Sequence, residues 1–147
     1  MLDYPAKILM ALAMTFEEKG DQFRQWLIDN SYPELAALSD AIKGSKNARK
    51  WLMDNKYYHL AAFDAVLDDD ENARKWLQEF NFPILVVLAD AVNQDIKSIK
   101  WLAEHNLDIY IILSQKIKKT IDNKIVYCEI CRHAIPSIML GRRGLLY

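Results

Sequence analysis

Four tryptophans stand at positions 26, 51, 76 and 101, each followed by leucine and each 25 residues from the next. An interval kept through four copies without an insertion marks a repeated structural unit, and it limits the fold more than any bulk property does. Written from the sixth residue before each tryptophan, the units are GDQFRQWLIDNSYPELAALSDAIKG, SKNARKWLMDNKYYHLAAFDAVLDD, DENARKWLQEFNFPILVVLADAVNQ and DIKSIKWLAEHNLDIYIILSQKIKK. They share an acid three residues after Trp (Asp29, Asp54, Glu79, Glu104) and an aromatic or leucine six residues after it (Tyr32, Tyr57, Phe82, Leu107). A second apolar block follows, starting near Leu35, Leu60, Leu85 and Tyr110.

Each unit reads as two short helices. Ser45, Asp70 and Asp95 suit the N-cap of the first, where a side-chain oxygen accepts a free backbone N–H. The stripe Ala73, Trp76, Leu77 places tryptophan and leucine together on the apolar face, so both are expected in the core at the joint between units. Pro33 and Pro83 fit the first turn of the second helix, where a missing N–H costs nothing. Leu35, Leu38 and Ile42 then recur at three and four, a helical and not a strand spacing. A helix of about 10 residues is only about 15 Å long and marginal alone, so the units must stack to hide their apolar faces.

The expected fold is therefore all-α: a right-handed α-α superhelix, or solenoid, of four helix-pair repeats at 20–44, 45–69, 70–94 and 95–119. Residues 1–19 would form an N-terminal cap helix, because Tyr4-Pro5 repeats Tyr32-Pro33. Residues 120–147 would form a degenerate repeat and C-terminal cap, with Tyr127 where the tryptophans stood. At 147 residues this is a single domain.

Residues 95–109, DIKSIKWLAEHNLDI, resemble the second helix of an ankyrin repeat, with Ile99, Lys100, Trp101, Leu102, Glu104 and Asn106 in the matching places; YHLAAF at 58–63 is similar to that family's first helix. The Thr-Pro-Leu-His tetrapeptide and the inter-helix glycine are missing. The unit is also about 8 residues shorter than the usual ankyrin repeat of 33, roughly what the projecting β-turn finger occupies. The resemblance implies a binding module without catalytic residues.

Charge narrows the function further. The chain carries −1 overall, divided into +5 from Gln115 onward and −6 before it, which gives no bulk reason to expect a polyanionic partner. Arg24, Arg49 and Arg74, with Lys50, Lys75 and Lys100 beside them, would form basic ladders along the stack. These would track phosphates in the alternative reading, a nucleic-acid-binding solenoid that also uses the basic C-terminal segment. Against it, Asp54, Glu79 and Glu104 lie four residues after the lysines, where i,i+4 pairing neutralises charge. The run Asp68-Asp69-Asp70-Glu71 lacks the glycine and alternating ligands of a calcium loop and is better explained by Asp70 as a helix cap. Cys128, Cys131 and His133 supply only half a zinc site, so buried helical thiols are expected and no metal or cofactor. No nucleophile–base pair or phosphate-cradling glycine loop occurs, and the chain is expected not to be an enzyme. Apolar runs such as ILVVLA and IYIIL fall far short of the roughly 18 residues of a membrane span, and a cytoplasmic protein with reduced thiols is expected.

For partners, Ala36-Ala37 and Ala61-Ala62 suggest that the second helices pack closely and line a concave side. Exposed residues expected there are Glu34, Asp40, His59, Asp64 and Asp90, a mildly acidic set suited to a basic peptide or protein patch. The second helices of units three and four are apolar nearly all round and need cover on more than one side. That cover is expected from the C-terminal segment with Ile125, Ile130 and Ile138, with homodimerisation through this half as the variant. The reading is of a non-enzymatic protein-interaction module or scaffold.

Overall fold

The computed structural model describes the backbone of residues 4–139 and the side chains of 4–125. Within them the chain is all-helical: α1 (Ala6–Met14), α2 (Asp21–Asp29), α3 (Pro33–Ile42), α4 (Lys46–Asp54), α5 (Tyr58–Leu67), α6 (Glu71–Glu79), α7 (Pro83–Val92), α8 (Ile96–Glu104) and α9 (Asp108–Met139). The starts of α2, α4, α6 and α8 are 25 residues apart, and so are those of α3, α5, α7 and α9.

Local chemistry sets these boundaries. Ser45 Oγ accepts the Ala48 N–H, an Asp70 carboxylate oxygen accepts from Asn72 and Ala73, and Asp95 accepts from Ser98. Pro33 and Pro83 open α3 and α7. The helix ends show a feature hidden in the sequence. Ser31, Lys56, Asn81 and Asn106, between the helices of each unit, have φ of 57–70°, and between units Gly44, Asp69 and Gln94 are also left-handed. Each reversal closes with a six-to-one bond, as from Tyr32 N–H to Leu27 C=O and from Ser45 N–H to Asp40 C=O. Glycine or asparagine suits such a site, and lysine at 56 is strained there. Lys56→Gly is expected to raise stability by about 0.5–1 kcal/mol in urea denaturation, relief of strain outweighing the added freedom of the unfolded chain.

Packing forms two tiers. The second helices follow one another as α1, α3, α5, α7 and α9, each touching the next. The first helices α4, α6 and α8 lie in the notches between consecutive second helices, α4 against α3 and α5 for example, and α2 lies likewise between α1 and α3. The row then returns on itself, because α9 packs against α1. An open array with separate caps was expected; instead the two ends meet. Ile8, Leu9 and Leu12 of α1 join Tyr110, Leu113 and Ile117 of α9 in one continuous buried cluster that also holds Leu35, Leu60, Phe63 and Leu88. Lys116 of α9 pairs with Glu17 just beyond α1. Thr15 Oγ1 shares a 2.7 Å hydrogen bond with Ser39 Oγ, and the Lys43 ammonium donates to the Thr15 carbonyl.

Closure explains the apolar second helices. α7 is enclosed by α5, α6, α8 and α9, and α9 by α1, α7 and α8, so cover comes from within the chain. For α7 it comes in part from α9, and for α9 in part from α1; of the C-terminal residues expected to supply it, Ile125 is exposed, and the side chains of Ile130 and Ile138 lie outside the described residues. α9 also runs unbroken across residue 120, where a new helix pair was expected, and is about 48 Å long at 1.5 Å per residue. Among the described residues no helix is long and apolar enough to cross a membrane.

Candidate functional site

Successive residues on a helix point about 100° apart, so a Trp-Leu pair cannot send both side chains straight inward. In every unit the leucine wins. Leu27, Leu52, Leu77 and Leu102 are each 0% exposed, while Trp51 and Trp101 keep 37% and 40% of their surface and Trp26 and Trp76 are half-buried. The tryptophans are thus not the core residues expected from the sequence; they lie at the rim of the first helices. There three of them rest on other rings, and Trp26 lies under the Lys7 ammonium, 5.7 Å from the ring centroid. Trp51 stacks on Tyr57 (6.0 Å between centroids, 12° between planes) and Trp76 on Phe82 (6.2 Å, 8°), the aromatic six residues further on. Trp76 also stacks on Phe80 at 4.6 Å, and Trp101, with Leu107 at the sixth position, stacks on His105 at 4.0 Å. His59 bridges units two and three, edge-on to Tyr57 (6.5 Å) and flat on Phe82 (5.0 Å). A continuous file of rings results, from Trp51 through Tyr57, His59 and Phe82 to Trp76 and Phe80.

The acidic set and the arginine row neutralise each other. Arg24 holds Asp40 through Nε at 2.8 and 3.0 Å and a second guanidinium nitrogen at 2.7 Å. Arg49 Nε donates to Asp64 at 2.5 Å and another of its nitrogens to Asp68 at 2.6 Å; Arg74 holds Asp90 at 2.8 Å. In units one to three these pairs tie the first helix to its own second helix. Of the lysine row, Lys50 makes its i,i+4 bond to Asp54 at 2.8 Å.

Exposure differs from expectation because the face expected to be concave turns into the closed ring. Glu34 is 7% exposed and accepts the Tyr4 hydroxyl at 3.0 Å. Burial and that carboxylate push the Tyr4 phenol well above its ordinary pKa, which keeps it a donor. Asp64 is 2% exposed, and desolvation pushes its carboxyl upward against the pull of Arg49. His59 is half-buried in the ring file and desolvation lowers its imidazole, which favours the neutral form. Asp40 and Asp90 are part-exposed and engaged with arginine. Asp64 is deepest because it departs from the period: Asp40 and Asp90 are 50 residues apart, and the midway position is Ala65. One residue earlier turns the carboxylate about 100° inward.

What remains open is a row of apolar grooves. One of about 420 Å³ lies among α2, α3 and α4, lined by Ile28, Pro33, Ala36, Ala37, Asp40, Ala48 and Trp51 among others. A second, about 730 Å³, lies among α4, α5 and α6. The ten positions lining the first, moved by 25, all line the second, which adds Phe80. Substitutions between units explain the larger volume and more apolar wall: Asp40 becomes Ala65, while Ile28 becomes Met53 and Pro33 becomes Tyr58 on the rim. Tyr58, Met53 and Phe80 are 44%, 48% and 57% exposed. A third groove of about 430 Å³, with Met10, Ala11, Met14, Phe23 and Trp26 in its wall, separates α1 from α2. In unit three Val86 and Val87 replace the alanine pair. The alanines 36–37 and 61–62 are therefore groove floor as well as tight packing, which spacing alone does not reveal.

Among the described residues no group of three or more His, Cys, Asp or Glu side chains is placed to hold a metal ion. The Cys128, Cys131 and His133 side chains lie outside the described residues. In comparisons with protein families, curated proteins and solved structures, nothing matches this chain.

Proposed function

We propose that the chain is a non-enzymatic protein-interaction module: a short helical-repeat array, ankyrin-like in plan but without the β-turn fingers, whose ends close on each other. It binds protein or peptide through the grooves between its first and second helices. One observation carries this reading. The same ten-position groove recurs in successive units with large apolar side chains left at its rim, and contiguous exposed apolar surface of this kind marks interaction sites.

The nucleic-acid alternative draws less support. Arg24, Arg49 and Arg74, which would have carried it, are engaged by aspartates of the adjoining helices, and a guanidinium so held is less free to contact phosphate. A homodimer is the weaker variant, since α7 packs against α9 and α9 against α1 within one chain.

The test is affinity capture from native lysate with the full chain and with a Met53→Glu/Phe80→Glu variant, beside a gel shift at low ionic strength. Both substituted residues are exposed, so the variant should fold. Proteins captured by the parent and lost with the variant, without retardation of DNA or RNA, are expected. Identical capture by both chains would remove the groove from the account, and retardation of nucleic acid would favour the alternative.

A further inference from the structure

The grooves also specify what fits them. Resting on the interaction-module reading, we propose that the groove among α4, α5 and α6, with its smaller neighbour, receives an amphipathic helix with apolar anchors seven residues apart and lysine or arginine beside the anchor in the larger groove.

Two observations lead there. The first is spacing. Consecutive second helices such as α3 and α5 pack directly, which puts equivalent groove points about 8–10 Å apart. Seven residues of helix rise about 10.5 Å and return to nearly the same face, whereas same-face positions of a strand fall about 7 or 13 Å apart. The groove walls are helices whose backbone groups are already bonded within the helix, so they present no sheet edge to which a strand could add.

The second is charge. Asp70 lines the larger groove, and Asp69 and Glu71 on either side of it are exposed. Asp68 completes four consecutive acids at this end. The one cation among the described residues lining this groove, Arg49, already serves Asp64 and Asp68, and Asp70 caps α6 by accepting the Asn72 and Ala73 N–H groups. The mouth is left net negative beside an apolar floor of Ala61, Ala62 and Ala65 and a rim of Met53, Tyr58 and Phe80. An apolar helix face flanked by basic residues complements both.

The experiment is selection of displayed random peptides of about 16 residues, some four helical turns, on the full chain. Counter-selection uses Ala62→Phe, which fills the floor, and Met53→Glu, which alters only an exposed rim residue and covers the case in which the first variant does not fold. Enriched sequences are expected to share apolar residues at i, i+3 or i+4, and i+7 with nearby Lys or Arg. Binding of a representative peptide, followed by fluorescence anisotropy, should weaken about ten-fold or more with either folded variant and weaken also with Asp69→Lys/Glu71→Lys. Enrichment of acidic, proline-rich or extended sequences that still distinguish parent from variant would overturn this partner class and leave the module reading standing. If no selected sequence distinguishes them, both fall.

Discussion

Leu52→Ala is expected to cost about 3–5 kcal/mol, and Trp51→Ala beside it only about 1–2 kcal/mol, although tryptophan is much the larger side chain. The leucine is wholly enclosed in the notch between α3 and α5, and its removal leaves a cavity that its helical neighbours cannot easily collapse into. The indole keeps more than a third of its surface in water and rests on Tyr57; a stacked pair contributes about 0.5–1.5 kcal/mol beyond its area. Because a domain of this size is stable by only about 5–15 kcal/mol, the leucine substitution removes a large share of the total. Equilibrium urea denaturation of the two variants measures the difference. Equal losses, or a larger loss at Trp51, would return the tryptophans to the core.

Arg49→Met is expected to destabilise by about 3 kcal/mol at neutral pH, near the lower end of the range for a broken buried pair because Arg49 itself is 40% exposed. The loss arises on the other partner. Asp64, 2% exposed, keeps its charge with its cation gone. Its carboxyl is already raised by burial and held back by Arg49, so the substitution raises it further. A carboxyl whose pKa is higher folded than unfolded favours folding fully below the unfolded pKa, and that contribution is lost as pH rises through the folded value. The penalty should therefore shrink as pH falls toward about 4, the ordinary aspartate range. Denaturation of parent and variant at both pH values tests this; a penalty independent of pH would mean that Asp64 is not the stranded group. Arg24 and Arg74 hold less deeply buried aspartates, and their removal should cost less.

The two substitutions mark where the sequence is informative and where it is not. Helix boundaries are legible because they rest on local chemistry: serine or aspartate at the N-caps of α4, α6 and α8, proline at N1 of α3 and α7, and a four-fold period. The inward residue of each Trp-Leu pair is not, since a 100° difference decides it and either choice preserves the stripe. Closure of α9 on α1 is not local at all. The apolar face of α9 requires cover, but nothing in residues 6–14 says that they provide it. The pairing of Arg24, Arg49 and Arg74 with acids 15 or 16 residues later was visible in principle, as a second feature on the 25-residue period. It was obscured by Asp64, which is one residue out of phase. The alanine pairs hint at the grooves, yet the larger volume of the one among α4, α5 and α6 depends on side-chain exchanges between units, Asp40 to Ala65 among them.

Methyl-resolved NMR of the full chain, with labelled Met, Ala, Leu and Ile, shows whether partners bind in the grooves among the first and second helices. On addition of a captured partner, the methyl signals of Met53, Ala62 and Ala65 should shift, while those of Leu113 and Ile117, enclosed between α9 and α1, stay in place. Shifts confined to α8 and α9, with Met53 and Ala62 unmoved, would contradict binding in the grooves.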